Sequence, residues 1–149
     1  MVTKPDYWYI QSAVIPFRKH SGELQILLIT SHKKKRWTIP KGIKEPDLSP
    51  PQSAAKEALE EAGIAGPVLD HSLGTFTYRK WGGVCTVEVF AMAVEKVLDV
   101  WQEDYRDREW VALDEASARL DRQGLSRIVR SLPGFLHKHS RHPLISGRY

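Results

Sequence analysis

Glu57, Glu60 and Glu61 stand at i, i+3 and i+4 spacing, so on a helix their carboxylates crowd one face. Like charges so placed oppose the helix, and Gly63 sets them in its last turns, where the macrodipole favours cations. A bound divalent cation removes both penalties. Donors that are all oxygen suit magnesium or manganese better than zinc, which prefers nitrogen and sulfur. Without an ion the same trio is a solvated acidic face, with Lys56 pairing to Glu60 one turn away. The spacing alone leaves both readings open.

The trio needs a helix to carry it, and the local signals supply one over 50–62. Ser49 is a good N-cap, Pro50 fits the first helical position, Gln52 completes a capping box, and Gly63 is a stop. Ala55, Ala58, Leu59 and Ala62 form the expected apolar stripe. Strands are expected over 7–17, 24–31, 69–79 and 84–94, with a short extended piece at 37–40 and Trp81-Gly82-Gly83 as a hairpin tip. A last strand at 110–113 leads into a helix over 114–120. A further helix over 124–132 is expected to stop at Pro133-Gly134.

The 149 residues are those of one domain, 1–149, with a core of about 7–132 and a basic tail of about 137–149. The net charge of +4 is unevenly spread. Lys33, Lys34, Lys35 and Arg36 run together, Arg127, Arg130, Lys138, Arg141 and Arg148 crowd the C-terminal part, and acids gather between Glu95 and Glu115. Clustered cations raise the local concentration of an anionic ligand. Cys85 is the only cysteine, which excludes an intrachain disulfide, points to a reducing, cytoplasmic setting, and reads as inert packing. Neither a secretory signal nor an apolar run long enough for a membrane span is visible. His137, His139 and His142 resemble a metal tract, but a Pro- and Gly-interrupted terminus reads as a flexible basic end.

Gly42 to Ile64 resembles the Nudix box, G-x5-E-x7-R-E-U-x-E-E-x-G-U with U a bulky aliphatic residue. Gly42, Glu57, Glu60, Glu61, Gly63 and Ile64 match across its 23 residues, with Ala58 at the first U. Leu48 and Lys56 depart from the box glutamate and arginine, which in many relatives support the loop–helix–loop; Asp47 or Glu45 is a candidate to take part of that role. The resemblance continues through Ile26–Ser31, Arg36–Gly42 and Glu109–Ala116. It implies an α+β fold, the Nudix α/β/α sandwich with a mixed sheet and a loop–helix–loop motif.

The resemblance also implies a hydrolase that cuts a phosphoanhydride bond with Mg2+ or Mn2+. Glu57, Glu60 and Glu61 become the catalytic unit and metal ligands, joined by the Gly42 carbonyl and by a loop acid, Glu103 or Asp104, of which Asp104 is taken as the ligand. Lys33, Lys35, Arg36 and Lys41 before the box, Arg79 and Lys80 between strands, Arg108 beside Trp110, and Arg18 are the expected substrate cations. Their placement resembles the diphosphoinositol polyphosphate phosphohydrolases, which often also cut diadenosine polyphosphates. The expected partner is thus a small phosphorylated substrate. A nucleoside diphosphate sugar or other nucleotide stacked on Trp8, Trp37, Trp81, Trp101 or Trp110 is the alternative within enzymes. A non-catalytic nucleotide- or RNA-binding module is the alternative outside them, although no RNA-recognition signature is present, nucleic acid is not expected, and oligomeric state is left open.

Overall fold

The computed structural model describes residues 3–146; Arg148, counted above with the basic tail, lies outside them. In chain order the elements are a 3-10 turn (Asp6–Tyr9), β1 (Ile10–His20), β2 (Glu23–Thr30), β3 (Trp37–Thr38), β4 (Lys41–Ile43), α1 (Pro50–Ala62), β5 (Ile64–Ala65), β6 (Gly74–Lys80), β7 (Gly83–Ala93), β8 (Lys96–Val97), β9 (Arg108–Ala112), α2 (Leu113–Arg119), α3 (Gln123–Arg130) and α4 (Leu132–Lys138).

Seven strands make one mixed sheet in the order β3-β2-β1-β7-β6, with β4 on β1 and β9 on β2. Only β1 and β7 run parallel; the other pairs are antiparallel. Strand β1 changes partner along its length. Gln11 to Ala13 pair with β4, and Phe17 to His20 pair with β2. The parting of β2 from β4 opens the space in which the site lies.

The central strands are buried on both faces, as residues in the middle of a three-layer fold must be. Their side chains alternate between two cores. Val14, Leu27, Ile29, Phe90 and Met92 pack with Ala54, Ala58 and Ala62 of α1. Ala13, Ile15, Phe17, Ile26, Leu28 and Val89 pack with Leu125, Val129, Leu132 and Leu136 of α3 and α4. The sheet is therefore sandwiched, and the fold is the expected α+β one. No helix among the described residues is long and apolar enough to cross a membrane.

Several local expectations are corrected. The strand expected from residue 7 starts at Ile10, because Trp8 N–H donates to Pro5 O and turns Asp6–Tyr9 into a 3-10 turn. The strand expected from residue 69 starts at Gly74. Leu69 and Leu73 N–H still donate to Ala91 and Val89 of β7, but Asp70, His71 and Ser72 bow out between them. Pro133-Gly134 does not end the last helix; it lies in the first turn of α4, where proline has no backbone hydrogen bond to lose. Leu59 is 46% exposed, so the buried stripe of α1 is Ala54, Ala58 and Ala62, small residues that let the helix lie close on the sheet.

Candidate active site

Helix α1 is held at both ends. Its N-terminus carries the full capping box: Gln52 N–H donates to Ser49 Oγ at 3.3 Å and Ser49 N–H to Gln52 Oε1 at 2.9 Å. Buried Ser53 ties it to the preceding loop, donating to Ile43 O at 3.1 Å and accepting from Glu45 N–H at 3.2 Å. Lys56 pairs with Glu45 at 2.7 Å rather than with Glu60, so Glu45 supplies the acid that Leu48 cannot. Both partners are exposed, and the pair is a surface brace.

The C-terminus of α1 has no basic residue of its own, and Gly63 closes it in the left-handed region at φ 64°. The loop after β8 and the first residue of β9 supply the missing donors. Trp101 Nε1 donates to Glu61 O at 3.0 Å, Glu103 N–H to Glu60 O at 3.0 Å, and Arg108 to Ala62 O at 2.7 Å. Arg108 also donates to Leu98 O and lies 3.8 Å over the Trp101 ring. Its guanidinium is thus committed to the helix end, where positive charge meets the dipole. Arg108, expected among the substrate cations, is placed at the helix end and does not line the cleft described below. Arg18 likewise bonds Gln25 Oε1 at 2.8 Å and stacks on Trp110 at 4.2 Å, and does not line the cleft described below.

Glu57 and Glu61 point from α1 toward β4. A Cβ on Gly42 would stand 2.2–2.6 Å from the carboxylate atoms of Glu57, so any side chain there would displace that carboxylate from its present position. Lys41 N–H donates to Glu61 Oε1 at 3.1 Å. Arg106 donates to Glu103 Oε1 at 2.8 Å and to Thr30 O at 2.9 Å, and stands 3.8 Å from Glu61 Oε2. Tyr105 OH donates to the same Glu103 oxygen at 3.1 Å. Glu103 is therefore the loop acid that acts electrostatically on Glu57 and Glu61, while Asp104, the expected ligand, is exposed one residue further on.

Burial, then the charges of Glu61, Glu60 and Glu103, pushes the Glu57 carboxyl up to about 8. Burial pushes Glu61 up to about 7, against the pull of Arg106, the Lys41 N–H and the Lys41 ammonium. Both carboxyls thus lack enough positive charge nearby to ionise easily. Oxygen donors from Glu57 and Glu61, with Glu60 and Glu103 within electrostatic reach, fit a hard divalent cation beside Gly42. The Gly42 cradle is the geometric part of that fit. Ser12, paired with Gly42 across β1 and β4, adds a buried hydroxyl with no protein partner among the described residues.

A cleft of about 660 Å³ opens beside Gly42 and Glu61. Lys33, Lys35, Arg36, Lys41, Arg79 and Lys80 all line it, as do Arg106 and Arg122; Glu61 is the one acid among its lining residues. The loop 31–36 is folded by its own backbone: Ser31 N–H donates to Arg36 O at 2.8 Å, and Ser31 Oγ accepts from Lys35 and Arg36 N–H. Lys41 and Arg122 lie on the Tyr78 ring at 4.6 and 4.5 Å, and Tyr78 OH donates to Gln11 Oε1 at 2.7 Å. Burial, then the nearby Arg122, Lys80 and Arg106, lowers the Lys41 ammonium to about 8 in spite of Glu61. Thr38, 6% exposed and among the cleft's lining residues, has a buried hydroxyl with no partner among the described residues.

Arg106 and Arg122 were missed because neither lies in the cation groups before the box or at the end of β6. Arg122 sits between α2 and α3, and Arg106 amid acids. Only the flanking residues Glu103 and Arg108 hinted that this stretch returns to the box helix. Of the five tryptophans, Trp81 lines the cleft, at φ 52° in the β6–β7 turn with Lys80 Nζ 4.6 Å from its ring.

The NUDIX domain family matches residues 9–132. Nudix hydrolase 21, chloroplastic, of Arabidopsis thaliana is 38% identical over 109 residues, 68% of this chain and 54% of that protein. Diphosphoinositol polyphosphate phosphohydrolase 3-alpha of Mus musculus is 30% identical over 115 residues, 75% of this chain and 69% of that protein. The chain spans about half the length of several plant relatives that it matches. A crystal structure of C. elegans Ap4A hydrolase has the same fold, with a TM-score of 0.70, 24% identity, and coverage of 91% of this chain and 99% of that one. The chain belongs to the Nudix family.

Proposed function

We propose that this chain is a Nudix pyrophosphohydrolase that uses Mg2+ or Mn2+ to cut a phosphoanhydride bond in a small, phosphate-dense substrate, a diphosphoinositol polyphosphate or a diadenosine polyphosphate. One observation carries the reading: eight cationic side chains line a cleft whose single lining acid, Glu61, belongs to the carboxylate cluster on α1.

Glu57, Glu60 and Glu61, with Glu103 in place of Asp104 and the Gly42 carbonyl, are the residues that would hold the cation. When bound, it supplies charge to neutralise phosphate oxygens and lowers the pKa of a water. The chain's own groups do the rest. Lys41 N–H fixes Glu61 Oε1, and Arg106 braces Glu103 beside Glu61 Oε2, so the carboxylates are held before substrate arrives. A carboxylate of this unit takes the proton of the attacking water. Lys33, Lys35, Arg36 and Arg122 offer charge-assisted bonds to the remaining phosphates, and Arg79 and Lys80 do so from the other wall.

The printed activity of the mouse relative supports the inositol pyrophosphate reading, and that of the C. elegans structure the dinucleotide one. The Trp81 ring at the cleft supports a nucleotide substrate specifically, since it can stack on a base. Turnover of inositol pyrophosphates, diadenosine polyphosphates, nucleoside diphosphate sugars and capped RNA, measured side by side with magnesium, tests the reading. Preference for the first two classes is expected; hydrolysis of none would overturn it. Binding of RNA without any turnover would favour a non-catalytic module.

A further inference from the structure

A second cluster of ligating side chains lies at the opposite end of β6 from the cleft. Asp70 and His71 sit where the chain bows out ahead of β6, and the C-terminal turn after α4 brings His142 to them. One ligand atom from each lies within 4.8 Å of the other two. His71 Nε2 is 3.7 Å from Asp70 Oδ1, and the His71 ring stacks on His139 at 4.7 Å and meets His142 edge-on at 6.0 Å.

Both segments are anchored. Leu69 is buried beside Asp70, and Ile145 is buried three residues after His142, where its N–H donates to His142 O at 2.9 Å. His139 is itself packed on Phe135 at 4.4 Å. The fold therefore brings His71 to His139 and His142 from a distant part of the chain, and the basic end expected from the sequence is built into it up to Ser146.

We propose that Asp70, His71 and His142 form a binding site for one zinc ion, with His139 stacked on His71 as the ring that orients it. Two imidazoles and one carboxylate match zinc, whereas magnesium prefers oxygen alone. Donors about 2.1 Å from a tetrahedral zinc stand about 3.4 Å apart, so the side chains must close by about 1 Å. Asp70 and His71 are exposed, so their side chains can shift without displacing the core. His142 Nδ1 accepts the Leu144 N–H at 3.1 Å, and that bond is given up when zinc binds. If zinc takes Nε2, the ring proton moves to Nδ1; if it takes Nδ1, the proton stays on Nε2. The fourth position is left to water. The bound ion would pin the C-terminal turn to the loop before β6.

Zinc titrated calorimetrically into the full chain, with magnesium in excess, should bind with a Kd of about 10 µM or tighter. His71→Ala and His142→Ala should each weaken this event by about tenfold or more, and Glu61→Gln should leave it unchanged. Imidazole nitrogen signals of His71 and His142 should shift with zinc, while magnesium-dependent turnover of both histidine variants stays as in the parent. Affinity weaker than about 10 µM overturns the proposal. So does tight binding that survives in the His71→Ala/His142→Ala double variant, since the ion would then lie elsewhere. Equal melting temperatures of parent and variants in chelator verify that the fold is intact.

Discussion

Glu61 has an oxygen fixed by the Lys41 N–H, yet its carboxyl is pushed up to about 7, and that of Glu57 to about 8. A buried acid held like this is costly to ionise without a cation and useful with one. Glu61→Gln should lower turnover by about a hundredfold or more, in the range seen on removing one group that stabilises a transition state. In chelator the same variant should melt no lower than the parent, because a repelling charge has gone. Kinetics and thermal melts on one preparation check both. Gly42→Ala tests the cradle: a methyl group at 2.2–2.6 Å from the Glu57 carboxylate must displace it, so the magnesium concentration for half-maximal rate should rise. An unchanged magnesium dependence would remove Gly42 from the account.

At the scale of elements, α1 is useful only because its C-terminus is fixed by a loop some forty residues later in the chain. Arg108→Ala removes the donor to Ala62 O and the stacking partner of Trp101, and should cost about 1–2 kcal/mol of stability. Its KM should stay near the parent value. Arg122→Ala should do the reverse, raising KM with little change in denaturant midpoint; a pattern swapped between the two variants would refute the assignment. The contrast also shows what sequence could reveal. Ser49, Gln52 and Gly63 were legible because capping is local, and the Glu57, Glu60 and Glu61 spacing because a helix repeats. Leu59 was misjudged because the sheet leaves α1 room only for alanines. Pro133 was taken as a stop because proline is equally suited to the first turn of the next helix. The two-residue strands β5 and β8 have no periodicity to show. Arg106, Arg122 and the choice of Glu103 over Asp104 depend on contacts between distant segments, and no spacing rule reaches them.

For the whole molecule, the raised carboxyls make stability depend on pH in a predictable direction. Glu57 and Glu61 hold protons in the folded chain between about 4.5 and 8 that the unfolded chain has released. Their contribution is therefore full below about 4.5 and is lost as pH rises through about 7 to 8. Lys41, lowered to about 8 from 10.5, acts oppositely: the folded chain binds fewer protons there, and stability recovers between those values. In chelator, melting temperature should fall from pH 5 to pH 8, and magnesium should flatten that fall by favouring the ionised carboxylates. A melt that is equally pH-dependent with and without magnesium would separate the ion from these groups.

The central claim is that the α1 carboxylates act through a bound divalent cation to cut a phosphoanhydride. Initial rate against free magnesium, for the parent and Glu61→Gln on the best substrate of the panel, tests it most directly. The account predicts no turnover in chelator, a saturable rise with magnesium in the parent, and a rate about a hundredfold lower in the variant at every concentration. Turnover that persists after chelation, or that is the same in Glu61→Gln, would contradict it.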